Sequence, residues 1–173
     1  MTEFDKLAIG TVQFGLDYGI GNQNGQVHRY EIEAILDLAW RSGIDTLDTA
    51  KAYGNSEEAI GNHMKQRPEY LWYIITKLSD MGGNIAGQVQ DSTAKLTRKP
   101  SIILAHSAEL FMYDDFQKEL TEFKSMQFTG KMGVSLYNED EIIQVMESGF
   151  KPEVIQLPLN ILDTKLYKNG TLA

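Results

Sequence analysis

Short apolar runs alternate with longer amphipathic stretches from one end of this chain to the other, and that alternation restricts the fold more than any other feature. Leu7-Ala8-Ile9-Gly10 forms a first run; residues 30–41 follow with Ile32, Ile35, Leu36 and Ala39 on one helical face and Gly43 just beyond. Residues 44–49 form a second run, and Ser56 is placed to cap a helix over 56–66. The pattern repeats as strands at 72–77, 102–106, 131–135 and 154–157, with helices over 85–96, 113–126 and 138–148 between and after them. Six strands alternating with five helices predict a parallel sheet of right-handed βαβ units. No linker or low-complexity segment interrupts them, so residues 1–173 are expected to form one domain.

Two architectures accommodate this order, an open doubly wound sheet and a (β/α)8 barrel. The dinucleotide fingerprint of the first is missing. In Gly19-Ile20-Gly21-Asn22-Gln23-Asn24-Gly25 the third glycine comes one residue late and no helix starts there, so a surface loop is the better reading. The barrel fits better, but about 250 residues is typical of it and 173 supply two strands too few.

Charge and composition exclude several functions. Sixteen basic and twenty-four acidic residues give a formal net charge of −8, a poor surface for nucleic acid. The densest cationic stretch, Lys95 to Lys99, reads as a solvated turn. Without cysteine there can be no disulfide, thiolate metal site or cysteine nucleophile. His28, His63 and His106 share no ligand spacing, so no metal is expected. The first residues lack a signal-peptide pattern, and no apolar run approaches the ~18 residues of a membrane span. The expectation is a cytoplasmic protein with neither membrane nor nucleic acid as partner.

Polar residues close several of the apolar runs. Asp48 ends the second, Lys77 the third, His106 the fourth and Ser135 the fifth, while Gln156 lies in the sixth. In parallel α/β folds such positions converge at the C-terminal mouth of the sheet. Taken singly, each has a bland explanation: Lys77 as a snorkelling strand-end lysine, His106 as a satisfied half-buried histidine, Tyr53 as a rim aromatic, Asp48 as a turn carboxylate. Their joint placement favours chemistry.

The segment Asp48-Thr49-Ala50-Lys51-Ala52-Tyr53-Gly54-Asn55-Ser56-Glu57 resembles the signature of the aldo-keto reductases. The resemblance extends to LAIGTVQFG, HSAEL, GKMGVS and VIQLPLNILD, and so to essentially the whole chain. It implies reduction of an aldehyde, ketone or sugar carbonyl by NADP(H) without a metal. It also implies a catalytic tetrad of Asp48, Tyr53, Lys77 and His106. Tyr53 would be the proton donor, its pKa lowered by the Lys77 ammonium; Asp48 would hold Lys77, and His106 would orient the carbonyl. Gly10, Thr11, Asp48, Ser135 and Gln156 match cofactor positions, while Leu136 departs from the asparagine many members carry. Phe14, Tyr18 and Tyr113 are candidate pocket aromatics that packing explains as well.

The same resemblance places the cofactor's phosphates on segments after strands seven and eight. The expectation is therefore an incomplete barrel ending after strand six, with NADP(H) binding weakened or lost. Open edges on strands one and six favour self-association. A non-catalytic remnant and a cofactor-sensing module are the alternatives to an enzyme.

Overall fold

A computed structural model describes residues 7–79, 84–126 and 128–170. Its centre is a six-stranded, all-parallel sheet in the order β1-β2-β3-β4-β5-β6. The strands are β1 Ala8–Gly10, β2 Thr46–Asp48, β3 Tyr73–Leu78, β4 Ile102–Ala105, β5 Lys131–Ser135 and β6 Val154–Gln156. Each pairs only with its sequence neighbours, as in a (β/α)8 barrel and unlike a doubly wound sheet, whose order reverses.

Curvature follows from one contact. The Gln156 amide nitrogen donates to Asp48 Oδ1 at 3.1 Å, joining β6 to β2. In a flat sheet those strands would stand about 19 Å apart, four spacings of ~4.8 Å, too far for the two side chains to meet. The sheet is therefore curled into an incomplete (β/α)8 barrel, six strands of the eight that close one.

The expected helices form, those at 56–66 and 85–96 with the expected bounds and the other three with shifted ends. They are α2 Arg29–Arg41, α3 Ser56–Gln66, α4 Ile85–Leu96, α6 Asp114–Ser125 and α7 Glu139–Glu147. Three short ones were not anticipated: α1 Val12–Gly15, α5 Ala108–Met112 and α8 Lys165–Lys168. At α2 the His28 amide donates to the Glu31 carboxylate at 3.3 Å, and at α7 the Asn138 side chain accepts from the Glu141 amide. The cap expected from Ser56 is not found. Asn55 holds that position without a side-chain bond, and Ser56 Oγ instead donates to the Thr11 carbonyl at 2.9 Å. A serine preceding a helical pattern reads the same in sequence whether it caps its own helix or ties that helix to another segment.

The core lies between sheet and helices in two clusters. One gathers Phe14, Leu36, Leu47, Ile60, Ile74 and Leu96 under β1–β3; the other gathers Leu78, Ile85, Ile103, Phe111, Phe116, Val134 and Val145 under β4 and β5. Both fix the sheet from outside and leave the C-terminal strand ends free to carry polar groups.

Candidate active site

Asp48 is the hub at the sheet's C-terminal mouth. Lys77 Nζ donates to its Oδ1 at 2.6 Å, and the Gln156 amide donates to the same oxygen. Its backbone carbonyl accepts from Thr11 twice, from the amide at 3.0 Å and from the hydroxyl at 2.9 Å. β2 thus presents the carboxylate while β1 holds the peptide behind it.

Lys77 is only 2% exposed, so it does not snorkel. A second hydrogen bond runs from Nζ to the Thr49 carbonyl at 3.0 Å. Burial lowers its pKa from the usual lysine range, and the Asp48 carboxylate opposes that shift. An ammonium this deep is tolerable because an anion and a carbonyl replace its water.

Tyr53 stands in the loop after β2, half-buried. The Lys77 ammonium lies 5.2 Å from its ring centre, and the His106 ring packs edge-on at 5.9 Å. The phenol pKa is pushed up to about 12, chiefly by loss of water and then by the Asp48 charge. This differs from the expectation that Lys77 would lower it. The ammonium faces the ring and is itself paired with Asp48, so burial dominates. His106 follows β4, half-buried, its pKa lowered by desolvation and by the nearby Lys77 charge.

Asp48, Tyr53, Lys77, His106 and Gln156 therefore come together. Ser135 lies beside Gln156 in the β5–β6 register and is mostly buried. Gly10 pairs with Asp48 in register, and nothing lies within 4 Å of where its side chain would begin. Thr11 is different: fully buried, its hydroxyl is committed to the Asp48 carbonyl. Phe14 is a core residue at 3% exposure, whereas Tyr18 and Tyr113 are exposed. Tyr137, two residues beyond Ser135, was overlooked; its charge when ionised raises the pKa of Tyr53, as does that of Tyr18. Its place just past a strand end was the available signal.

A cleft of about 1080 Å³ lies elsewhere. Gln13, Asn22, Gln26, His28, Glu31 and Ile35 line it, between the loop after α1 and α2, and none of the five grouped residues does. Among the described residues there is no cluster of three or more histidine or carboxylate side chains able to hold a metal. No helix among them is long and apolar enough to cross a membrane.

The chain matches the profile of the Aldo/keto reductase family over residues 6–172. It is 26% identical over 132 residues to a D-arabinose 1-dehydrogenase of Saccharomyces cerevisiae, a match covering 67% of this chain and 39% of that protein. A crystal structure from Pseudomonas aeruginosa, provisionally classed as an aldo-keto reductase, superposes with a TM-score of 0.74 at 23% identity. That match covers 93% of this chain and 66% of the other. A mutant of Gox0644 in complex with NADPH aligns with a TM-score of 0.60 at 24% identity, covering 78% and 51%. The chain thus spans less than two thirds of each of these proteins. With the profile matched across nearly its whole length and the same fold in solved members, this chain belongs to the aldo/keto reductase family.

Proposed function

We propose that the cluster at the strand ends is a carbonyl-reduction site, with Tyr53 as proton donor and NADP(H) as the cofactor. The observation that carries the reading is the buried Lys77–Asp48 pair lying against the face of the Tyr53 ring, with His106 on the ring's edge. The substrate class is a small aldehyde, ketone or sugar carbonyl.

When bound, the nicotinamide supplies the hydride. As negative charge builds on the carbonyl oxygen, the Tyr53 hydroxyl gives up its proton to it. A phenol whose pKa is about 12 is fully protonated at neutral pH, and an alkoxide is basic enough to take its proton. His106, kept neutral by its lowered pKa, can donate a hydrogen bond to the same oxygen. Lys77 supplies fixed positive charge in a site where little water screens it, and Asp48 keeps that charge in place.

The residues fit the nicotinamide end of the cofactor. Ser135 and Gln156 set a hydroxyl beside a primary amide, the donor and acceptor set a carboxamide needs, and Gly10 leaves open space next to Asp48. Gln156 would have to share or leave Asp48 to make that contact. A net charge of −8 offers the dinucleotide phosphates little general attraction.

The test is a titration with NADPH followed by the cofactor's own emission. Protein tryptophan is a poor reporter: Trp72 precedes β3 and packs edge-on against Trp40 and Tyr70, some 17 Å of strand away from Lys77. Saturable enhancement, followed by NADPH oxidation on adding an aldehyde, is the expected result. Absence of both would sink the reading.

A further inference from the structure

Among the described residues the Tyr53 side chain makes only ring contacts within the site, so its backbone has to fix it. The backbone is gripped from behind by a contact made without side chains. Gly15, the last residue of α1, is buried against the Tyr53–Gly54 peptide. A Cβ at Gly15 would fall 1.7 Å from the Tyr53 carbonyl oxygen and 2.6 Å from the Ser56 nitrogen. From the other side, a Cβ at Gly54 would fall 2.4 Å from the Gly15 carbonyl oxygen, and Gly54 has a φ of +55° that favours glycine. Ordinary carbon contacts begin near ~3.5 Å, so neither position has room for any side chain.

The surroundings stiffen the same junction. Ser56 Oγ reaches both the carbonyl and the hydroxyl of Thr11 at 2.9 Å, and Thr49 Oγ1 lies 3.1 Å from it. The Gln26 amide donates to the Phe14 carbonyl and to Asn55 Oδ1, each at 2.8 Å. The Ser56 bonds tie the β1–α1 junction and the end of β2 to the start of α3 just after Tyr53, and Gln26 bridges Phe14 to Asn55 in the loop that carries Tyr53.

We infer that Gly15 is a positioning residue for Tyr53: by letting two backbones meet directly, it sets where the phenol stands over Lys77 and beside His106. This rests on Tyr53 being the proton donor. A methyl group at Gly15 must displace the Tyr53 carbonyl by an ångström or more, and a ~1 Å misplacement can cost about 10²-fold in rate. Gly15 has an ordinary backbone conformation, so the effect of alanine there is steric.

The structure provides a matched control. A Cβ at Gly61, in α3, would fall 1.8 Å from the Lys95 carbonyl oxygen, an equal clash at the α3–α4 contact away from the mouth. Gly15→Ala and Gly61→Ala are compared in the full chain by melting temperature, by kcat at saturating NADPH and aldehyde, and by alkaline tyrosine absorbance. Both variants should melt lower. Gly15→Ala should lose about 10²-fold in kcat with the aldehyde KM little changed, while Gly61→Ala stays within about threefold. Tyr53, whose pKa burial pushes up to about 12 and whose signal is identified by its loss in Tyr53→Phe, should titrate earlier in Gly15→Ala as burial is relaxed.

A folded Gly15→Ala with wild-type kcat and wild-type tyrosine titration overturns the inference, as does an equal loss of kcat in Gly61→Ala. Should Gly15→Ala not fold, Gly54→Asn presses on the same contact with a residue that tolerates positive φ, and a wild-type kcat there overturns it too. An inactive wild type refutes the proton-donor reading instead. The tyrosine titration of Gly15→Ala then still decides whether the glycine contact sets the phenol's place.

Discussion

The two sides of the sheet are finished to different degrees. Near the C-terminal ends of β2 and β3 three buried polar pairs are matched: Lys77 with Asp48, Thr76 with Glu57 at 2.7 Å, and Ser56 with Thr11. Beyond β6, large apolar side chains face outward instead, with Ile161 and Leu162 each 93% exposed and Leu159 and Tyr167 largely so. The proton-handling groups thus sit beside these paired residues, and the side with more exposed apolar surface is the one flanking Gln156. The contrast separates a region whose buried charges are paired within the chain from one whose apolar side chains the described residues leave exposed.

The sharpest way to break the contrast is to unpair the buried ions. Asp48→Ala leaves the Lys77 ammonium buried without its anion and should cost ~3–5 kcal/mol in urea unfolding. Lys77→Met removes the buried charge itself and should be far less destabilising, although both changes disable the proposed site. Equal stability losses would mean that the pair is not the hub. Next in size is Thr76→Val, which takes the hydroxyl donor from the buried Glu57 carboxylate and should cost ~1–3 kcal/mol.

A smaller effect appears with pH. The folded-state pKa of His106 is lowered, so between that value and the ordinary 6.5 the unfolded chain binds more protons. Stability should therefore fall as pH drops through that window and be regained on the neutral side. Melting curves between about pH 7 and pH 5 should show this slope, reduced in His106→Gln. A steeper acid loss in the variant would contradict the assignment. Smallest of all, Ile161→Ser and Leu162→Ser should change stability by less than ~0.5 kcal/mol, since neither packs against the core. A large loss would show that the outer face is covered after all, and a fall in sedimentation coefficient would identify a second copy as the cover.

The alternation of apolar runs and helical faces made the parallel sheet legible, and the polar ends of those runs marked Asp48, Lys77, His106 and Ser135 before any coordinates. What escaped has physical reasons. The turns α1 and α5 are too short for a 3.6-residue period to register. The raised pKa of Tyr53 depends on how much water packing removes, which no spacing encodes. The bond from Gln156 to Asp48 joins residues 108 apart and exists only because the sheet curls. Gly15 is the subtlest case, because nothing in its identity distinguishes a glycine at a turn from one on which a tyrosine's backbone rests.

Tyr53 is the group on which the proposed chemistry depends, so the decisive comparison is aldehyde-dependent NADPH oxidation by the wild type and by Tyr53→Phe, which removes one hydroxyl and keeps the ring contacts to Lys77 and His106. The predicted result is a fall of about 10²–10⁴-fold in rate with little change in melting temperature. A Tyr53→Phe protein that reduces the aldehyde as fast as the wild type would contradict it.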